Sequence, residues 1–274
     1  MKPVNIKYLN IILLSIFIVS CSKEGTDIEP NAYLKIGDEV SLNTLYNVQF
    51  FAEDSLFVGY NKVYFKVTEK STGQFISQAV ISLHPLMDMG TFKHACPFEN
   101  PAENSDSDGY FEGAIMFSMP GANNSWSLSA DIMVDGETHT ASFPISKVVG
   151  TNPVKKIVVI DSLSNGTGWT ITKHPVSIVE PAAWKVGNNP FEITVHTMSS
   201  MMSFPCCNEM TVEIIPEMPS MGHGSPNNVN PVLIANGHYV GTVNFTMTGA
   251  WRINMIFRKG DRVISRNAYF DINF

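Results

Sequence analysis

The chain repeats itself at a fixed distance. Gly109-Tyr-Phe-Glu-Gly113, Phe117, Met119 and Gly121 return as Gly237-His-Tyr-Val-Gly241, Phe245, Met247 and Gly249, each 128 residues further on. Trp126 and Trp251 follow, with three extra residues in the first copy around Ala122-Asn-Asn-Ser. Aromatic, Met and Gly positions held in constant register require two units that fold the same way, which constrains the architecture more than any composition figure. The repeat predicts a first domain at 45–147, a linker at 148–154 and a second domain at 155–274.

Each copy reads as strands. Lys62-Val-Tyr-Phe-Lys-Val-Thr68, Thr211-Val-Glu-Ile-Ile215 and Thr242-Val-Asn-Phe-Thr-Met247 alternate with a period of two. Trp126-Ser-Leu-Ser-Ala-Asp-Ile132 and Trp251-Arg-Ile-Asn-Met-Ile-Phe257 do the same, each opening on the Trp. No stretch combines a helical period with caps. Short strands broken by Gly, Pro and Asn predict an all-β chain of two tandem immunoglobulin-like antiparallel β-sandwiches. In each copy a loop rich in Met and His follows one strand and the Gly-x-aromatic-x-Gly element opens the next. The loop is therefore expected at one end of a sandwich, where binding residues concentrate on a rigid scaffold.

The N-terminus carries an address. Lys2 and Lys7 precede an apolar run from Ile11 to Val19, then Ser20 and Cys21. This is the layout of a secretory signal and is too short to span a bilayer. Ile18-Val-Ser-Cys21 resembles a bacterial lipobox, which implies a signal peptide at 1–20, lipidation at Cys21 and a polar tether through 21–44. The expected location is the cell envelope, favouring the outer membrane, with lipid as the sole membrane contact. Loss of residues 1–20 takes Lys2 and Lys7 and moves the net charge from −7 to −9. A negative field argues against nucleic acid, whose binding rests on neutralising phosphates, and attracts cations. Beyond Cys21 the chain has Cys96, Cys206 and Cys207, an odd number, so at least one thiol is free, metal-bound or paired outside the chain.

The candidate chemistry is soft. Met218-Pro-Ser-Met-Gly-His-Gly-Ser-Pro226 sets Met218, Met221 and His223 close together in a segment too rich in Pro and Gly for helix or central strand. The first copy offers His84-Pro-Leu-Met-Asp-Met-Gly90 followed by His94 and Cys96, a pool of His84, Met87, Met89, His94 and Cys96. Thioether, imidazole and thiol suit copper, above all Cu(I). His238 is a further candidate nitrogen. Met201, Met202, Cys206 and Cys207 form another soft cluster that reads better as a strand edge and a Pro turn. Zinc is disfavoured, since no Cys-x-x-Cys or His-x-His spacing supports a closed tetrahedral site. Nothing matches a Gly-x-Ser-x-Gly elbow, a phosphate loop or a His-Glu-x-x-His helix, so no enzyme is expected.

Met201-Met-Ser-Phe-Pro205, Glu217-Met-Pro-Ser-Met-Gly-His-Gly224, Gly237-His-Tyr-Val-Gly241 and Thr246-Met-Thr-Gly-Ala-Trp251 resemble a YtkA-like or FixH-like domain. The resemblance covers the second copy well and the first through the repeat. It implies an exported β-sandwich module tied to copper handling, with a copper pump, an efflux complex or an oxidase-assembly protein as partner. The family's Met-x-x-Met-x-His motif falls on Met218, Met221 and His223. In the first copy Met89 takes the place of Met221 and Leu86 that of Met218, and no His follows Met89 by two. Two functions are therefore expected to compete: a lipid-anchored protein for copper delivery, buffering or resistance, and a non-catalytic interaction module of an envelope complex.

Overall fold

The computed structural model describes residues 33–163 and 171–274. The first sandwich is built from β1 (Leu34–Lys35), β2 (Val40–Ser41), β3 (Tyr46–Ala52), β4 (Gly59–Glu69), β5 (Val80–Asp88), β6 (Lys93–His94), β7 (Phe98–Glu99), β8 (Phe111–Phe117), β9 (Gly121–Val134) and β10 (Glu137–Val148). The second uses β11 (Ile157–Leu163), β12 (Ile171–Val179), β13 (Gly187–Val195), β14 (Thr211–Met218), β15 (His223–Gly224), β16 (Val229–Ala235), β17 (His238–Phe245), β18 (Ala250–Lys259) and β19 (Arg262–Asn273).

In the first sandwich β1-β3-β4-β8-β7, with β2 on β3, faces β10-β9-β5-β6. In the second β11-β12-β13-β17-β16 faces β19-β18-β14-β15. The two strand orders correspond place by place. All regular elements among the described residues are strands. The chain is all-β, two tandem immunoglobulin-like antiparallel sandwiches, as the alternation predicts.

Alternate residues of each strand fill the cores. Val63, Phe65 and Val67 of β4 and Leu128, Ala130 and Ile132 of β9 point into the first; Phe191, Ile193 and Val195 of β13 and Ile253, Met255 and Phe257 of β18 point into the second. Trp126 and Trp251 are fully buried, and each indole N–H donates to the carbonyl of a preceding Met, Met119 at 3.1 Å and Met247 at 2.9 Å. A buried Trp needs such a partner; the Met119 and Met247 side chains themselves stay exposed, outside the cores.

The repeat runs deeper than the motifs in the sequence suggest. Asn61 and Asn189 are also 128 residues apart, and both are buried. The Asn61 amide accepts from the Phe57 N–H and donates to the carbonyls of Phe57 and Gly59. The Asn189 amide does the same with Lys185 and Gly187. One side chain thus satisfies three backbone groups at the entry to β4 and to β13. The repeated glycines of β8 and β17 answer another need. A Cβ on Gly113 would lie 2.8 Å from the Glu99 carbonyl, and one on Gly241 would overlap the Val229 carbonyl and Pro231. The edge strands β7 and β16 close directly over them.

Two expected boundaries are corrected. Residues 33–44 fall within the expected tether, yet β1 and β2 ladder onto β3 and Tyr33 stacks on Tyr64 at 3.8 Å. Ile36, Val40 and Leu42 pack on the first core, a signal too sparse to stand out beside the polar residues between them. Val149, expected in the linker, exchanges backbone hydrogen bonds with Leu56 and Val58 and so belongs to the first sandwich. Cys21 and the signal lie outside the described residues.

Candidate functional site

The second-copy loop is a tight turn between β14 and β15. The N–H groups of Met221 and Gly222 both reach the Met218 carbonyl, at 3.0 and 2.9 Å, and Gly222 adopts the positive φ of 64° that glycine tolerates best. The turn brings Met218 and His223 opposite each other in the ladder. Directly opposed residues share a face, with Cβ atoms about 5 Å apart. Met218 points into the core, its methyl so close to Gly249 that a Cβ there would lie 2.7 Å from it. The half-buried His223 ring stands perpendicular to Trp251 at a centroid distance of 5.7 Å. Met221 stays at the turn tip, 58% exposed.

The first copy has the same arrangement on other residues than the alignment of Met-Gly pairs suggests. Met87, at the end of β5, is opposite His94 on β6 and opposite Trp126 on β9. Imidazole, thioether and indole thus form one row across three adjacent strands. The His94 ring is perpendicular to Trp126 at 5.4 Å, almost repeating the second copy. Met87, not Leu86, therefore corresponds to Met218. His94 corresponds to His223, across a turn two residues longer. Met89 and Met221 do correspond, each preceding a glycine with positive φ. Pro85-Leu-Met87 and Pro216-Glu-Met218 carry the matching signal, visible once the strands rather than the glycines are aligned.

Three expected ligands lie elsewhere. His84 is on the outer face of β5, exposed and 3.0 Å from Asp131, because it is an odd number of residues from inward-facing Met87. Cys96 is fully buried in the first core, where desolvation holds the thiol well above its ordinary pKa. His238 does not approach the Met218 turn. It starts β17 at the contact between sandwiches, its Nδ1 2.6 Å from Glu192 and its Nε2 2.8 Å from Glu99 of the first sandwich. Those two carboxylates raise its pKa to about 9, against the lowering effect of burial, so the ring is a cation bridging two anions. Tyr60 donates to the other oxygen of Glu99 at 3.1 Å.

Around this bridge the sandwiches also meet through backbone. Met201 and Met202 occupy a hairpin tip rather than a strand edge, and the Met201 carbonyl accepts from the Ala95 N–H at 2.8 Å. Nearby His196 is buried and kept neutral, its pKa lowered to about 4 by desolvation, with Nε2 4.0 Å from the Cys206 sulfur. Cys96, Cys206 and Cys207 are all free thiols. Among the described residues no three His, Cys, Asp or Glu side chains converge as a metal-ready group.

The chain matches no protein-family model and no curated protein. Among solved structures it is similar to the Escherichia coli adhesin FdeC, at 14% identity over 87% of this chain and 66% of that one, with a TM-score of 0.26. It is also similar to the Yersinia pseudotuberculosis adhesin InvE, at 14% identity over 83% and 58% of the two chains, with a TM-score of 0.26. Invasin, a bacterial integrin-binding protein, shows 11% identity over 83% and 39%, with a TM-score of 0.24. The chain spans two thirds or less of the length of these structures.

Proposed function

We propose that this protein is a lipid-anchored, non-catalytic binding protein of the cell envelope that holds Cu(I) at the β14–β15 turn. The observation that carries the reading is the ladder opposition of Met218 and His223 beside Trp251, with the exposed thioether of Met221 at the tip. Thioether and imidazole are ligands that Cu(I) accepts with little demand on geometry. An indole within about 6 Å adds cation–π attraction. The negative charge of the chain favours cation entry. Cys21, through the lipobox, supplies the anchor, and the resemblance to YtkA-like and FixH-like domains points to copper delivery, buffering or resistance. The test is a Cu(I) competition titration against a chelator. Met221→Ala, at the exposed turn tip, with His223→Ala, at a half-buried ring outside the core, should abolish tight binding at the turn. An unchanged affinity would remove the site.

One observation favours a second reading, an interaction module. The edge strand β16 exposes Val232 at 66% and Ile234 at 64%, with Leu233 between them half-covered. Apolar edge strands are templates for a strand from another chain. A crosslinked envelope partner lost on Val232→Lys, in a chain that takes up no copper, would favour this reading.

A further inference from the structure

We infer that the first sandwich holds a second soft-cation site, with Met87 and His94 as its ligands beside Trp126, and the Met89 thioether in the overlying turn. The inference rests on the copper reading of the second sandwich for its metal class, but a different observation carries it. The His94 Nδ1 lies 2.9 Å from the Ala95 carbonyl. A carbonyl accepts only, so Nδ1 bears the proton and Nε2 the lone pair. That nitrogen is buried with no hydrogen-bond partner, in a residue only 8% exposed.

A buried acceptor left unpaired is costly, and buried polar groups in folded proteins nearly always have a partner. An imidazole kept for packing alone would be better replaced by Phe or Leu, which carry no such penalty. A ring whose Nδ1–H is held by a carbonyl while Nε2 stays free is the arrangement that orients a metal-binding His. The atoms available to share a ligand with Nε2 are soft. The thioether of Met87 is on the neighbouring strand, 7% exposed, and the Trp126 indole is 5.4 Å from the ring in the same row. Among the described residues, no carboxylate is hydrogen-bonded or ion-paired to the ring. A hard divalent ion would find no oxygen charge there, whereas a soft monovalent d¹⁰ cation such as Cu(I) or Ag(I) is matched.

The surroundings also differ from those of the second site. Ala95, whose carbonyl fixes the His94 tautomer, gives its own N–H to Met201 of the second sandwich. The hairpin tip at 200–203 therefore braces the segment that carries His94. The first site is the more enclosed of the two and is buttressed from both sandwiches.

Ag(I), which needs no reductant, is the probe. With the exposed thiol of Cys206, itself an Ag(I) ligand, removed by Cys206→Ser in every chain compared, the otherwise full chain should take up two equivalents in a calorimetric titration, His94→Gln and His223→Gln one each, and the double His variant none. Because His94→Gln also removes the ring that is packed on Trp126 and bonded to the Ala95 carbonyl, ¹⁵N histidine spectra of the unsubstituted chain provide a second readout. Saturating Ag(I) should shift Nε2 of His94 and leave its Nδ1 protonated. Two equivalents retained in His94→Gln, or an unshifted His94 Nε2 at saturation, would overturn the inference while leaving the β14–β15 site standing. Binding lost only with His94→Gln would support it and sink the β14–β15 site. No uptake by the unsubstituted chain would overturn both.

Discussion

The Met–His–Trp rows of the two sandwiches differ less in composition than in enclosure. Both place a Met opposite a His at the end of equivalent strands, with the repeated Trp perpendicular to the imidazole at 5.4 and 5.7 Å. In the first, His94 is buried and its neighbour Ala95 is tied to the other sandwich. In the second, His223 is half-buried, and Met221 projects from a shorter turn. One scaffold thus yields a closed version and an open version of the same Met–His–Trp row. Strand order and the core Trp decide where the row lies, while turn length and the sandwich contact decide how wet it is.

The strongest way to break this equivalence is at its shared anchor. Trp126→Ala and Trp251→Ala should each cost about 3–5 kcal/mol, the usual loss for a truncated buried aromatic. Urea denaturation followed by circular dichroism would measure both. A cost near zero for one of them would show that the two Trp residues do not play the same part. Asn61→Ala and Asn189→Ala probe the equivalence away from the candidate sites. Each leaves three backbone groups without their amide partner, so a loss of about 1–3 kcal/mol is expected for both. Similar values would extend the repeat from geometry to energetics.

His238 sharpens the contrast, because Tyr110 stands at its place in the first copy. Its folded pKa of about 9 lies above the unfolded value near 6.5. The bridge to Glu99 and Glu192 therefore contributes fully below pH 6.5 and is lost as pH rises through about 9. With screening at a partly exposed ring, about 1–2 kcal/mol is expected. The unsubstituted chain should lose this stability between pH 6.5 and 9.5 in urea titrations. His238→Gln should start lower and change little across that window.

The fold was legible because its signals are local. Period-two alternation gives strands, and the 128-residue register gives two of everything. The soft residue types were legible too. Their partnership was not, because the Met-Gly pairs draw the eye to the turns, where the copies differ in length. The strands place Pro85-Leu-Met87 over Pro216-Glu-Met218, which converts Met87 from one of a pool into the counterpart of Met218. His84 misleads for a related reason, since adjacency in sequence says nothing about which face of a strand a side chain takes. The Glu99–His238 bridge joins residues 139 apart through a contact between sandwiches, and no local pattern encodes it. The unpaired nitrogen of His94 is likewise a product of burial, invisible until the strands are assembled.

Ligation of Cu(I) by thioether and imidazole is the central proposal, and X-ray absorption of the Cu(I)-loaded chain tests it most directly. It predicts a mixed first shell of thioether sulfur and imidazole nitrogen, with the sulfur component reduced in Met221→Ala. A shell of nitrogen and oxygen alone, or one unchanged by that substitution, would contradict it.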